Sequence, residues 1–300
     1  MLFGNFSNDI ILSGRWSEET LSKSKYIIKK FLFQLEDAGI KAFDNITLQF
    51  MSNLMTKFAE QYTGGLSSAI MKVRAFLKYL YSVRATSLDL SLAIPTLISP
   101  RRNYLKGFTS METRKLLSIP DVDTSIGKRN YAIMVLAIQT GLRAIDIVNL
   151  KRRDIDWSDR KIRIAQHKTG KTLCVSLEAE TGNAISAYLL NARPKCDLPN
   201  VFLSHLGPAK PLCTTALSTF IRKYMNIAGI NKANDRRAFH GFRRGFGTRL
   251  LEAEVPLELI QQMMGQSRID SLVPYLSIEE QGLKSCALPL VSASERGHVK

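Results

Sequence analysis

Residues 240–248 read His240-Gly241-Phe242-Arg243-Arg244-Gly245-Phe246-Gly247-Thr248, and Tyr275 follows in Gly265-Gln266-Ser267…Pro274-Tyr275. A His-x-x-Arg pair sets an imidazole and a guanidinium one helical turn apart on one face. Such a pair can grip a phosphate and exchange a proton with it. A downstream tyrosine can act as a nucleophile and become covalently joined to phosphorus. Upstream, Arg143 in Thr140-Gly141-Leu142-Arg143 and Lys168 in His167-Lys168-Thr169-Gly170-Lys171 stand in the order that such a site needs. Any one of these patterns is weak. Their combination is specific.

The rest of the chain is compatible with chemistry on a polyanion. Its 300 residues suffice for one large domain or two ordinary ones, and a 45% apolar fraction supports real cores. It carries 42 Lys+Arg against 26 Asp+Glu, a formal net charge of +16. That excess favours a nucleic-acid partner whose affinity falls as salt rises. Four scattered cysteines, Cys174, Cys196, Cys213 and Cys286, suggest neither a zinc site nor a disulfide framework. No metal or cofactor is expected. The N-terminus lacks the pattern of a signal peptide, and no apolar run has the length of a membrane span. The expected location is the cytoplasm, on the nucleoid if the source is bacterial.

Apolar periodicity predicts a mainly α chain with one small β-sheet. Residues 17–84 read as three helices. Ser17 caps the first, with Leu21, Ile28, Phe31, Leu32 and Leu35 inward before Gly39. Thr47 opens the second, with Leu48, Met51, Leu54, Met55 and Phe58, ended by Gly64-Gly65. Ser67 or Ser68 opens the third, with Ile70, Val73, Leu77, Leu80 and Tyr81 inward. The third displays Lys72, Arg74, Lys78 and Arg84, either a DNA-backbone contact or a solvated face. Residues 85–107 read as a linker, broken by Pro95 and Pro100 and basic at Arg101, Arg102 and Lys106. Domains of 1–100 and 101–300 are therefore expected. The second opens on a capping box, Thr109-x-x-Glu112. A buried helix over 130–140 ends at Gly141, and another starts at Ala144. A hairpin pairs residues 161–164 with 172–177, helices resume near Thr181, Thr214 and Gly241, and Pro256 fits the first turn of a further helix after these.

These residues resemble the tyrosine recombinases of the phage integrase family, over nearly the whole chain. Thr140-Gly141-Leu142-Arg143-Ala144-Ile145-Asp146-Ile147 resembles the first arginine box of that family. Lys168 sits where its hairpin lysine falls, His240 to Thr248 resembles the second box, and Met264-Gly265-Gln266-Ser267-Arg268 the segment before the nucleophile. The resemblance implies a helical, SAM-like core-binding domain followed by an α+β catalytic domain. It implies a partner in double-stranded DNA at a recombination site. It also implies a homotetramer on that DNA, with sister recombinases or accessory factors as further partners. Lys72, Arg74, Lys78, Arg101, Arg102, Lys106, Lys171 and Arg244 are the candidate DNA contacts.

The chemistry explains the residue types. Charge grows on the non-bridging oxygens as a phosphodiester is attacked, and Arg143 and Arg243 can donate paired hydrogen bonds to them. Tyrosine is a poor nucleophile at its usual pKa near 10, so a proton acceptor helps. The resemblance makes His240 that base, Lys168 the acid for the leaving 5′ oxygen, and Tyr275 the nucleophile. Each has a structural alternative. Arg143 could pair with Asp146, Lys171 could replace Lys168 as the acid, His240 could cap a helix, and Tyr275 could be a core residue set by Pro274. One position departs from the family, which usually has histidine or tryptophan where this chain has Gln266. Glutamine can donate a neutral hydrogen bond to phosphate but cannot exchange a proton near neutral pH. The expected function is movement of a mobile element by strand exchange. The alternatives are a Xer-like resolving recombinase and a cleavage-deficient accessory protein.

Overall fold

The computed structural model describes residues 6–8, 18–40, 42–62, 65–94, 106–166, 170, 172–230, 235 and 237–266. The chain divides into two compact units, Met1–Arg102 and Asn103–Lys300.

The first unit is built on α1 (Glu18–Asp37), α2 (Leu48–Glu60) and α3 (Leu66–Ser82). Thr47 caps α2, its hydroxyl accepting from the Phe50 amide at 3.1 Å. Ile28, Phe31 and Leu35 of α1 pack on Met51, Met55 and Phe58 of α2 and on Val73, Phe76 and Leu80 of α3. Two residues expected inside are exposed, Leu48 and Tyr81. Leu48 is the first residue of α2, and Tyr81 lies about 100° around the helix from the buried Leu80. Helix α3 starts at Leu66, because Gly65 takes the cap position in the left-handed region at φ 75°. Ser17 and Gly64 lie outside the described residues.

The expected linker begins later than its composition suggests. Leu90 and Ile94 pack into the first core, and a short 3₁₀ turn, Leu90–Ala93, is capped by the Asp89 carboxylate. Arg74, expected on a displayed face, instead donates to the Ile94 carbonyl at 2.9 Å and secures this returning segment. Lys78 and Arg84 are exposed. Lys72 is half-buried, and burial, then the nearby Lys23 charge, lowers its ammonium pKa. Pro95, Pro100, Arg101 and Arg102 lie outside the described residues.

The second unit opens on α4 (Ser110–Leu117), with the capping box formed in both directions. Helix α5 (Ser125–Thr140) starts five residues before the apolar pattern does. Its first turn holds through the Thr124 cap and through a buried Arg129, which donates to the Leu203 carbonyl at 2.9 Å. After α6 (Ala144–Val148) come three antiparallel strands, β1 (Ile155–Asp156), β2 (Lys161–Ala165) and β3 (Thr172–Ser176), in the order β1-β2-β3. Ile162 and Ile164 face the core while Lys161 and Arg163 face out, the period-2 alternation of a half-buried strand. Strand β1 is two residues long, too short to carry a periodic signal. Helices α7 (Ala179–Asn191), α8 (Thr214–Ile227), α9 (His240–Glu252) and α10 (Leu257–Met263) follow. Pro256 caps α10 rather than lying in its first turn. Leu136, Ile147, Ile162, Ile185, Phe202, Ile221 and Phe242 share one core. Among the described residues no helix is long and apolar enough to cross a membrane.

Helix α9 is seated by the segment that leads into α4. The Phe108 amide donates to the Gly241 carbonyl at 3.2 Å. A Cβ on Gly241 would lie 2.6 Å from the Phe108 ring, and one on Gly245 would lie 2.6 Å from the Phe108 carbonyl oxygen. The two glycines, one turn apart, form the groove that lets the chain lie on the helix. Just before α9, Arg237 grips Glu112 at 2.7 and 2.8 Å and Asp235 at 2.8 Å. The hydrogen bond from Arg237 outweighs burial and holds the Glu112 carboxyl below its ordinary range. A lowered carboxyl pKa stabilises the fold above its unfolded value near 4.3, and that contribution disappears as pH falls through the folded value. Glu112→Gln is therefore expected to cost about 1–2 kcal/mol at pH 7, between the exposed and buried limits for ion pairs. The gap to the parent should close below about pH 4 in thermal melts. A gap that is constant with pH would mean that packing, not the ion pair, sets it.

Candidate active site

The first arginine is placed by a helix end. Thr140 closes α5, its hydroxyl donating to the Leu136 carbonyl at 2.6 Å. Gly141 then turns the chain in the left-handed region at φ 61°, its amide bonded to the Ala137 carbonyl. A Cβ there would also lie 2.4 Å from the Phe246 ring of α9, so glycine is required twice over. Arg143 follows as the residue capping α6.

The second arginine lies inside α9, with 3% of its surface exposed. Its Nη1 donates to the Gly141 carbonyl at 2.8 Å and its Nη2 to the Met264 carbonyl at 2.7 Å. Arg143 reaches the same turn, its Nη2 donating to the Gly265 carbonyl at 3.2 Å. Its Nη1 stands 3.8 Å from Asp146 Oδ2 and, although buried, makes no hydrogen bond among the described residues. The alternative pairing with Asp146 is thus present as an ion pair, without a hydrogen bond, and leaves that nitrogen with donor capacity. Leaving a buried donor unsatisfied is costly, which favours a site that receives an acceptor from a ligand.

Gln266 ends the same turn. It is 9% exposed, its backbone N–H donates to the Gln261 carbonyl at 2.9 Å, and its side-chain Oε1 is buried without a hydrogen-bond partner among the described residues. Arg143 and Arg243 thus meet at the turn that Gln266 ends. His240 is the first residue of α9, one turn before Arg243, and its side chain is exposed. Arg244 is half-buried and Lys106 is exposed. Lys168, Lys171 and Tyr275 lie outside the described residues. Among the described residues no group of His, Cys, Asp and Glu could hold a metal ion.

Sequence reasoning passed over Gln166, which follows β2. Its side chain is buried and donates to the Met264 carbonyl at 3.4 Å. No local pattern marks it, because its partner lies 98 residues away.

The sequence model of the phage integrase family matches residues 106–281. The integrase/recombinase y4rA of Sinorhizobium fredii is 27% identical over 281 residues, which are 91% of this chain and 66% of that protein. The chain thus spans just under two thirds of y4rA. Tyrosine recombinase XerC of Bacillus licheniformis is 24% identical over 93% of this chain and 95% of its own length. The same fold occurs in the XerH site-specific recombinase in a post-cleavage complex with palindromic difH substrate. That match has a TM-score of 0.72 at 16% identity and covers 95% of this chain and 94% of the other. It occurs again in the Tn1549 transposon integrase bound to a circular intermediate DNA, with a TM-score of 0.71 at 14% identity over 95% and 99% of the two chains.

Proposed function

The chain belongs to the phage integrase family of tyrosine recombinases, and on that premise we propose that it cuts and rejoins DNA strands at a recombination site through a 3′-phosphotyrosyl intermediate. The observation that carries this reading is the convergence of Arg143 and Arg243 on the Met264–Gly265 turn, with one Arg143 nitrogen unspent. Two fixed guanidinium forks stabilise the charge that grows on the non-bridging oxygens, and their protein anchors remove the cost of orienting them during the reaction. Tyr275 Oη attacks phosphorus, His240 takes its proton, and Lys168 protonates the departing 5′ oxygen. The phosphotyrosyl bond retains the energy of the broken linkage, so a second strand's 5′ hydroxyl reverses the step without ATP.

The first unit and the following basic segment clamp the duplex, mostly through phosphates. Exchange between two duplexes takes four active sites, hence a homotetramer on DNA. Movement of a mobile element is the favoured role, because Gln266 departs from the usual residue of the family. The test is covalent trapping on nicked duplexes carrying the ends of the element that encodes the protein. A protein–DNA adduct on a denaturing gel is expected. DNA that shifts in a native gel yet never forms an adduct would support the accessory-protein reading instead.

Gln266→Ala is expected to slow adduct formation roughly 10- to 100-fold, at or below the cost of one transition-state donor. Binding in a mobility-shift assay should stay within a few-fold. Equal single-turnover rates for variant and parent would remove Gln266 from the site.

A further inference from the structure

The Met264–Gly265 turn is held from three directions. Arg243 of α9 and Gln166 beyond β2 both donate to the Met264 carbonyl, at 2.7 and 3.4 Å, and Arg143 at the head of α6 donates to the Gly265 carbonyl at 3.2 Å. Gln166 is the most enclosed of the three, 1% exposed. Its carboxamide lies against the Gly265 Cα so closely that a Cβ there would stand 2.2 Å from Nε2 and 2.5 Å from both Cδ and Oε1. Gly265 is itself left-handed at φ 57°, so its lack of a side chain serves both the turn and this contact. The backbone of Gln166 is fixed as well, its carbonyl accepting from the Gly170 amide at 2.8 Å.

We propose that Gln166 is a positioning residue for strand cleavage. It sets where the Met264–Gly265 turn lies and thereby aims the two arginines at the scissile phosphate. This rests on the recombinase reading of the site. The geometry makes the turn a shared stop. The anchored nitrogens of Arg143 and Arg243 end on adjacent carbonyls, so a displaced turn moves both guanidinium groups together. The internal shape of the turn is fixed by its own backbone, since the Met264, Gly265 and Gln266 amides donate to the Ile260, Gln262 and Gln261 carbonyls at 2.9 Å. The flat Gln166 amide against Gly265 sets where that turn stands relative to the end of β2. Displacements of about 1 Å at a reacting centre can cost on the order of 100-fold in rate.

The experiment uses Gln166→Met, which keeps the volume and length of the side chain but removes the amide donor. Adduct formation is measured in single turnover with the full chain on two nicked duplexes. One carries an ordinary scissile phosphodiester, the other a methylphosphonate at the same position. In both, the Tyr275 oxygen bonds phosphorus, the bond to the 5′ oxygen breaks, and the proton ends on that oxygen. The methylphosphonate lacks one charged non-bridging oxygen, so its reaction relies less on the arginines. Gln166→Met is expected to be about 10- to 100-fold slower on the phosphodiester. On the methylphosphonate it should come within about 3-fold of the parent, with DNA binding and melting temperature close to the parent's on both. An equal rate on the phosphodiester, or the same deficit on both substrates, overturns the proposal, the second result marking a merely structural residue. A parent that forms no adduct on either duplex fails the recombinase reading itself and takes the proposal with it.

Discussion

Tyr275→Phe is expected to leave DNA binding intact and to abolish the covalent adduct. The substitution keeps the ring and removes only the oxygen that would bond phosphorus. No positioning effect has to be invoked, so the loss should be complete within detection, at least about 10⁴-fold, as for removal of other enzymic nucleophiles. It should also be selective. One hydroxyl changes duplex affinity little when most of the affinity comes from lysine and arginine contacts to phosphate. The measurement pairs a denaturing gel for adduct with a mobility shift at the same salt concentration. An adduct that persists at the parent's level would assign the nucleophile to another residue and would leave the roles of Arg143, His240 and Arg243 without their centre.

Arg243→Ala should fail twice, in rate and in stability. Its guanidinium serves the Gly141 and Met264 carbonyls while lying 3% exposed. Alanine takes that donor from the Gly141 carbonyl, at about 1–3 kcal/mol for a buried group left unsatisfied, while the Met264 carbonyl keeps only the longer bond from Gln166. It also removes a transition-state donor, worth about 10²- to 10³-fold in rate by itself. Displacement of the Met264 turn adds to that, so an overall loss of 10³-fold or more is expected. Arg243→Lys should fall between, since one ammonium keeps the charge but cannot span two carbonyls and a phosphate with a planar fork. Thermal melting and single-turnover adduct rates separate the two losses. A parent-like rate in Arg243→Ala would sink the assignment, whatever the melt shows.

What could be read from residue order was local. The Thr109–Glu112 capping box formed as expected because both partners lie within one turn. Gly141 ended its helix because a left-handed residue there needs no distant partner. That Arg143, Arg243 and Gln266 act together could be suggested only by the order of the motifs and a family resemblance, since no periodicity brings Arg243 to Gly141, 102 positions away. Where reading failed, a non-local contact had overridden composition. Arg74 looked like a displayed cation and is spent on Ile94. Residues 85–94 looked like linker, yet Leu90 and Ile94 complete a core. The start of α5 was hidden because Arg129, a polar residue in the helical pattern, is buried by a carbonyl 74 positions away. Gln166 was invisible for the same reason.

The glycine groove of α9 bears on where this protein can be divided. A designer choosing a start for an isolated catalytic fragment would be drawn to Thr109, a clean helix cap. That cut would discard Gly107 and Phe108, whose place against Gly241 and Gly245 no solvent molecule can fill in kind. The fragment would then lose the wedge beneath the helix that carries His240 and Arg243. Viable split points, fusion junctions and chimeras with other N-terminal units therefore lie upstream of residue 106. Grafts that exchange the first unit must carry the recipient's own Gly-Phe pair with them.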